Sequence, residues 1–274
     1  MGAISAIGRR EISRPMASDR AFLGVSALLF ASSATLTIVW CASMSAIGEM
    51  AMPGGWTMSM AWMRMQGQTW PGAALSFLGM WVVMMVTMML PSLAPMLWRY
   101  RQAVAATGAA HFDRLTALVG VGYFFVWTLF GMAVFPVGAA LAAIEMEQPP
   151  LALAVPLAVG VVVLIAGVLQ LTSWKAHHLA CYREAPGLGC ALSTDAGTAW
   201  RHGLHLGLHC SASSGGLTAI LLVIGVMDLS AMAVVTAAIT VERLAPGGDR
   251  VARVIGAVTV VTGLLLIARA AGLG

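Results

Sequence analysis

Two sets of side chains in this 274-residue chain have the types and spacing to hold a metal ion. The first is methionine. Met50-x-Met52, Met58-x-Met60 and Met63-x-Met65 place thioethers in close pairs in a loop. Further on, Met80, Met84 and Met88 follow i, i+4 spacing within an apolar run, and Met85 and Met89 form a neighbouring pair. Thirteen of the 19 methionines fall between Met44 and Met96, so sulfur is concentrated. A thioether selects soft Cu(I) or Ag(I) over Zn(II) and hard cations, and it does so without losing a proton. The competing use of methionine is as a pliable filler between helices, and spacing alone leaves both open.

The second set is histidine and cysteine. His177 and His178 precede Cys181 by four and three residues, so either pair can share a helical face. His202, His205 and His209 stand at i, i+3 and i+7, within an arc of roughly 60° on a helix, and Cys210 lies beside that arc. Imidazole and thiolate suit copper, zinc or iron, and ionisable groups inside membrane helices are functional candidates. The bland alternative is a hydrated helix start contacting headgroups. Haem between histidines of two helices is the other metal chemistry this set allows. Nothing resembles a serine triad, a phosphate loop or a paired-carboxylate site, so no catalytic residue is assigned.

The elements that must position these groups follow from composition. At 59% hydrophobic, 9% charged and a mean hydropathy of +0.88, the chain is too apolar for a soluble domain. Apolar runs approach the roughly 20 residues that span a bilayer as helix, and alternating ten-residue strands are missing. The expected fold is all-α: a polytopic transmembrane bundle of six or seven helices with a cytoplasmic N-terminus. Residues 1–20 form a tail and 21–274 one membrane domain, with helices about 21–46, 74–98, 115–144, 151–172, 203–226, 229–244 and 251–271. The run from Ala21 to Cys41 is long for a signal peptide and lacks a clean cleavage site, so it is expected to be a retained helix.

Charge sets orientation. With the N-terminus inside, thirteen Lys and Arg residues fall on the inner side, and only Arg64 and Arg269 fall outside. The positive net charge of +4 is therefore a topology signal, not one for nucleic acid. This orientation puts the Met-rich loop outside, with Trp56, Trp62 and Trp70 at the interface, and the segment holding His177, His178, Cys181 and Cys190 in the cytoplasm. A small-residue stripe, Gly203, Gly207, Ser211 and Gly215, lets another helix approach closely. Gln170, Thr172 and Lys175 can orient the cytoplasmic ligands, and Glu242 and Arg243 are expected to snorkel as a pair to an interface.

At these residues the chain resembles a bacterial family of predicted metal-binding integral membrane proteins, over about residues 74–245. The resemblance rests on Met84-Met85-x-x-Met88-Met89-x-Pro91, Trp127 and Gln170-Leu171-Thr172 followed by Lys175. It is completed by Leu179 to Pro186, Gly203-Leu204 with Cys210, and Gly225-Val226-Met227. Where members tend to carry a Cys-Leu-x-x-Cys-Arg element, this chain has His178, Leu179, Tyr182 and Arg183. Where a Cys-x-x-Cys-Cys cluster is typical, it has Cys210, Ser213 and Ser214. The resemblance implies a bound metal in a multi-pass protein of the bacterial inner membrane.

The leading expectation is therefore a protein that binds or moves a soft metal, most simply Cu(I). Its candidate ligands are Met50, Met52, Met58, Met60, Met84, Met85, Met88, Met89, His178, Cys181, His205, His209 and Cys210. Expected partners are the lipid bilayer and either another membrane subunit or a metallochaperone. Oligomeric state stays open. The rival classes are a redox subunit holding haem or non-haem metal, and a metal-free assembly subunit.

Overall fold

A computed structural model describes residues 2–47, 50–52, 55–64, 67–109, 111–184 and 195–272. Eight α-helices and one short hairpin account for most of these. In order they are α1 (Gly2–Ile47), β1 (Met50–Met52), β2 (Trp56–Met58), a 3-10 turn (Met60–Trp62), α2 (Trp70–Ala106), α3 (Phe112–Glu147), α4 (Pro149–Gln170), α5 (Ser173–Glu184), α6 (Ala196–Ile224), α7 (Leu229–Leu244) and α8 (Gly248–Ala270). Six helical stretches are long and apolar enough to cross a membrane: Ser18–Met44 of α1, and α2, α3, α4, α6 and α8. The all-α, multi-pass architecture is as expected. α1 starts at Gly2, so helix also occupies the stretch assigned to a tail.

Local chemistry sets the ends. Thr69 caps α2, its hydroxyl accepting from the Gly72 amide at 3.2 Å, and Pro71 fits the first turn, where no intrahelical N–H is needed. Asp228 caps α7, accepting from the amides of Ser230 at 2.8 Å and Ala231 at 3.1 Å, which is the helix start foreseen there. Asp195 caps α6, which begins at Ala196, seven residues before the expected start. The segment expected as a cytoplasmic loop contains α5, whose packing on α6 and ion pair to α7 hold a 12-residue helix that lone propensity would not.

Close approach between helices depends on glycine. In α6, a Cβ on Gly203 would collide with the Val119 carbonyl, and one on Gly207 would lie 2.9 Å from the Tyr123 carbonyl, so the start of the expected stripe seats α3. Its end does not: Gly215 has open space. The α4–α8 pair, which packs along most of its length, uses Gly160 and Gly167 of α4, which face Ile267 and Val260, and Gly256 and Gly263 of α8, which face Leu171 and Leu164.

The hairpin corrects another expectation. Met50 pairs with Met58 and Met52 with Trp56, so the close-spaced methionines regroup across two strands. The Trp56 indole N–H donates to the Ala152 carbonyl at 2.8 Å, tying the hairpin to α4. Trp62 turns toward the bundle. It packs on Phe77 with ring centres 5.1 Å apart and fills space that a Cβ on Gly138 would occupy. Trp70 alone of the three is half exposed, with the Arg64 guanidinium 5.4 Å from its ring. Met65 and Cys190 lie outside the described residues.

Candidate metal centre

Met80, Met84, Met85, Met88 and Met89 are all buried inside the bundle, so none of these thioethers is spent on lipid. Each i, i+4 step rises about 6 Å, which stacks them into a column along α2. At the end nearer the start of α2 the column meets an aromatic cluster. Phe77 lies 5.9 Å from Trp81, 5.2 Å from Phe135 and 5.1 Å from Trp62, centre to centre. Trp81 is held in place by its N–H, which donates to the Trp127 carbonyl at 2.9 Å.

At the other end, Met89 Sδ is 3.9 Å from Cys210 Sγ. Cys210 is completely buried, with the Tyr123 hydroxyl at 2.8 Å and Ser214 Oγ at 3.9 Å. Arg243 reaches the same place from α7. Its Nη2 donates to Cys210 Sγ at 2.9 Å and to the Cys210 carbonyl at 3.4 Å. Its Nη1 donates to Ser92 Oγ at 3.0 Å and lies 3.8 Å from Met89 Sδ. The guanidinium sits 4.3 Å from the centre of the Tyr182 ring. Arg243 Nε is buried with no acceptor among the described residues.

Glu242 and Arg243 are thus not a snorkelling pair. Glu242 is fully buried and pairs with Lys175 Nζ at 2.7 Å, while Lys175 also donates to the Ser213 carbonyl. Gln170 Nε2 approaches Glu242 from α4 at 3.4 Å. Adjacent helical residues point about 100° apart, so the two charges face different partners. With 16 residues α7 is only about 24 Å long, short of a bilayer's hydrocarbon core, and it leaves both charges within the bundle.

The same 100° step separates Cys210 from His209. His209 faces α5, where its Nδ1 lies 3.0 Å from His178 Nδ1. His205 is exposed one turn away, with ring centres 6.3 Å apart. Cys181 Sγ lies 3.6 Å from His177 Nε2. Burial, and then the neighbouring His177, hold His178 below the ordinary imidazole pKa. His202 turns elsewhere and stacks on Tyr100. Among the described residues, no group of three or more His, Cys, Asp or Glu side chains is placed to hold one ion. His178, Cys181, His205, His209 and Cys210 therefore do not converge. They divide into a buried thiol beside Met89 and a half-exposed imidazole row.

Met50, Met52 and Met58 remain at the hairpin, with Met58 buried and the other two partly so; Met60 begins the 3-10 turn. Trp62, which ends that turn, belongs to the aromatic cluster on Phe77. Sequence reasoning missed Arg243, Ser92 and Tyr123 at the core. The available signal was an Arg and a Glu at the end of a helix too short to carry both to water. Tyr182, Ser213 and Ser214, three positions where the resembled family tends to carry cysteine, are also buried, Tyr182 beneath the Arg243 guanidinium and the serines near Cys210.

These features define a class: a multi-pass helical membrane protein with a sulfur-lined interior ending at a buried cysteine. A family model described as copper chaperone (PpoB2) matches residues 78–266, most of the chain, and the protein belongs to that family. No curated protein and no solved structure matches it. The matched span holds the methionine column, α5, Cys210 and Arg243, and leaves the hairpin outside. The expectation of a metal-related family is met, and the family's metal is copper.

Proposed function

We propose that this protein is a membrane-embedded copper chaperone that holds Cu(I) as cargo between Met89 and Cys210 and hands it to a protein acceptor. The single observation carrying this reading is the 3.9 Å separation of the two sulfurs. With metal–sulfur bonds of about 2.3 Å, an ion bound to both subtends roughly 115° at the metal. Such a bent pair leaves a third position through which ligands exchange, and exchange is what a chaperone requires. Met84, Met85 and Met88 line the adjoining column with neutral soft donors that suit Cu(I) without trapping it.

In the same reading the remaining candidates form two outlying stations. Met50 and Met58, with Met52 and Met60 nearby, supply thioethers at the outer end. His178 and His209, flanked by His205 and Cys181, supply imidazole beside the inner end. The charge distribution along the chain favours an inner-membrane protein whose α5 side faces the bacterial cytoplasm, where a metallochaperone or a membrane subunit is the partner.

The test is Cu(I) binding by purified protein in competition with a chromophoric chelator. Cys210→Ser and Met89→Leu should each lower affinity by at least about tenfold, by analogy with losses at metal sites. His178→Ala with His209→Ala should leave that tight site in place. Unchanged Cu(I) affinity in the Met89→Leu/Cys210→Ser double variant overturns the assignment.

A further inference from the structure

Beside the inner end of the sulfur column a cavity of about 450 Å³ opens, lined by Pro95, Trp98, Arg99, Arg183, Arg243 and Leu244. A second, of about 430 Å³, shares Arg183 and adds Arg250 and Arg253, with Asp249 as its acid. Arg243 belongs to both the first cavity and the core, since it lines the one and donates to Cys210 Sγ at 2.9 Å in the other.

The guanidinium groups of this mouth have uncharged partners. Arg99 donates to Met96 Sδ at 2.6 Å and to the Arg183 carbonyl at 3.4 Å. Arg183 donates to the Ala245 carbonyl at 2.6 Å. Among the described residues none of Arg99, Arg183 and Arg243 forms an ion pair with a carboxylate. The buried Nε–H of Arg243 adds a donor with no acceptor. Three cations around one opening repel a bare Cu(I) ion and attract an anion. The opposite end of the column is flanked by aromatic rings, those of Trp62, Trp81 and Phe135 each packing on Phe77.

We propose that copper enters through this arginine-lined mouth as an anionic complex in which two low-molecular-weight thiolates hold Cu(I). This deepens the proposed copper reading and rests on it. Cu(I) favours thiolate, and two thiolates on one Cu(I) give a complex of charge −1. Transfer is a ligand exchange without redox change. Cys210 sulfur and Met89 sulfur bond to the incoming Cu(I), and both donor Cu–S bonds break. The Cys210 proton leaves on one departing thiol, and the other departs as thiolate, so the charge of −1 is conserved. Arg243, between cavity and sulfur, is the group that meets the complex as it arrives.

The experiment follows the rate of Cu(I) uptake by the full-length protein in discs of neutral phosphatidylcholine, which offer no net anionic headgroup. Two probes are compared: the Cu(I)–glutathione complex, which is anionic, and the Cu(I)–acetonitrile complex, which is not. Arg99→Gln and Arg183→Gln are expected to slow uptake from glutathione on the order of tenfold at low salt, with the difference shrinking as salt rises. Uptake from acetonitrile should stay within about twofold, and Arg99→Lys should restore the glutathione rate. Equal slowing with both probes, or no slowing with either, overturns the proposal. Wild-type protein that takes no Cu(I) from acetonitrile would overturn the copper reading beneath it.

Discussion

Lys175 and Glu242 are buried together, their 2.7 Å ion pair supported by the Ser213 carbonyl and Gln170. Desolvating two charges costs several kcal/mol each, so the pair persists because its attraction and hydrogen bonds offset that cost, and removing one partner strands the other. Lys175→Met is therefore expected to destabilise the protein by about 3–5 kcal/mol. Adding Glu242→Leu should recover most of the loss. Thermal unfolding in detergent, or recovery of monodisperse protein where the single variant fails to fold, provides the check. A double variant no better than Lys175→Met would show that the pair is not what couples α5 to α7. Arg243 differs, because its partners are sulfur, hydroxyl and carbonyl groups and the face of Tyr182, none of them a carboxylate.

Between elements, contact with backbone decides which small residues matter. Gly203 and Gly215 belong to one four-residue stripe on α6 and look equivalent in the sequence. A methyl on Gly203 meets the Val119 carbonyl of α3, a backbone group that cannot rotate away, whereas one on Gly215 meets nothing within 4 Å. Gly203→Ala should cost about 1–3 kcal/mol as an overpacked interface, and Gly215→Ala should be neutral or slightly stabilising through helix propensity. Melting temperatures of the two variants test this directly. Equal effects would mean that α3 and α6 do not approach as described. The hairpin shows the converse: its Met and Trp pattern was legible, but its anchoring was not, because the Ala152 carbonyl that receives Trp56 comes from a helix 96 residues away in sequence.

For the molecule as a whole, orientation and burial make a joint prediction about thiols. Cys181 is partly accessible on α5, while Cys41 and Cys210 are buried. In a Cys190→Ser background, a membrane-impermeant maleimide should label Cys181 in inside-out vesicles, and neither label it in right-side-out vesicles nor reach Cys41 or Cys210 in either. Labelling from the other side would reverse the orientation and with it the side from which copper arrives. The six or seven helices expected from the sequence include all six that are long and apolar enough to span, because lipid leaves little choice: a backbone in hydrocarbon must satisfy its own hydrogen bonds, and about 20 apolar residues are needed to cross. The short α5 was not visible, since its mean composition is polar and its stability comes from what it packs against.

What the amino-acid sequence determined by itself is therefore the helical membrane architecture, the concentration of sulfur in one stretch of the chain, and the asymmetry of charge. Each is a property of composition or of period along the chain. Only tertiary structure decided that the methionines face inward, that Cys210 joins Met89 while His209 joins His178, and that Arg243 turns into the core. Neighbours in sequence diverge by about 100° around a helix, and which of those directions meets sulfur, imidazole or lipid depends on helices brought together from across the chain.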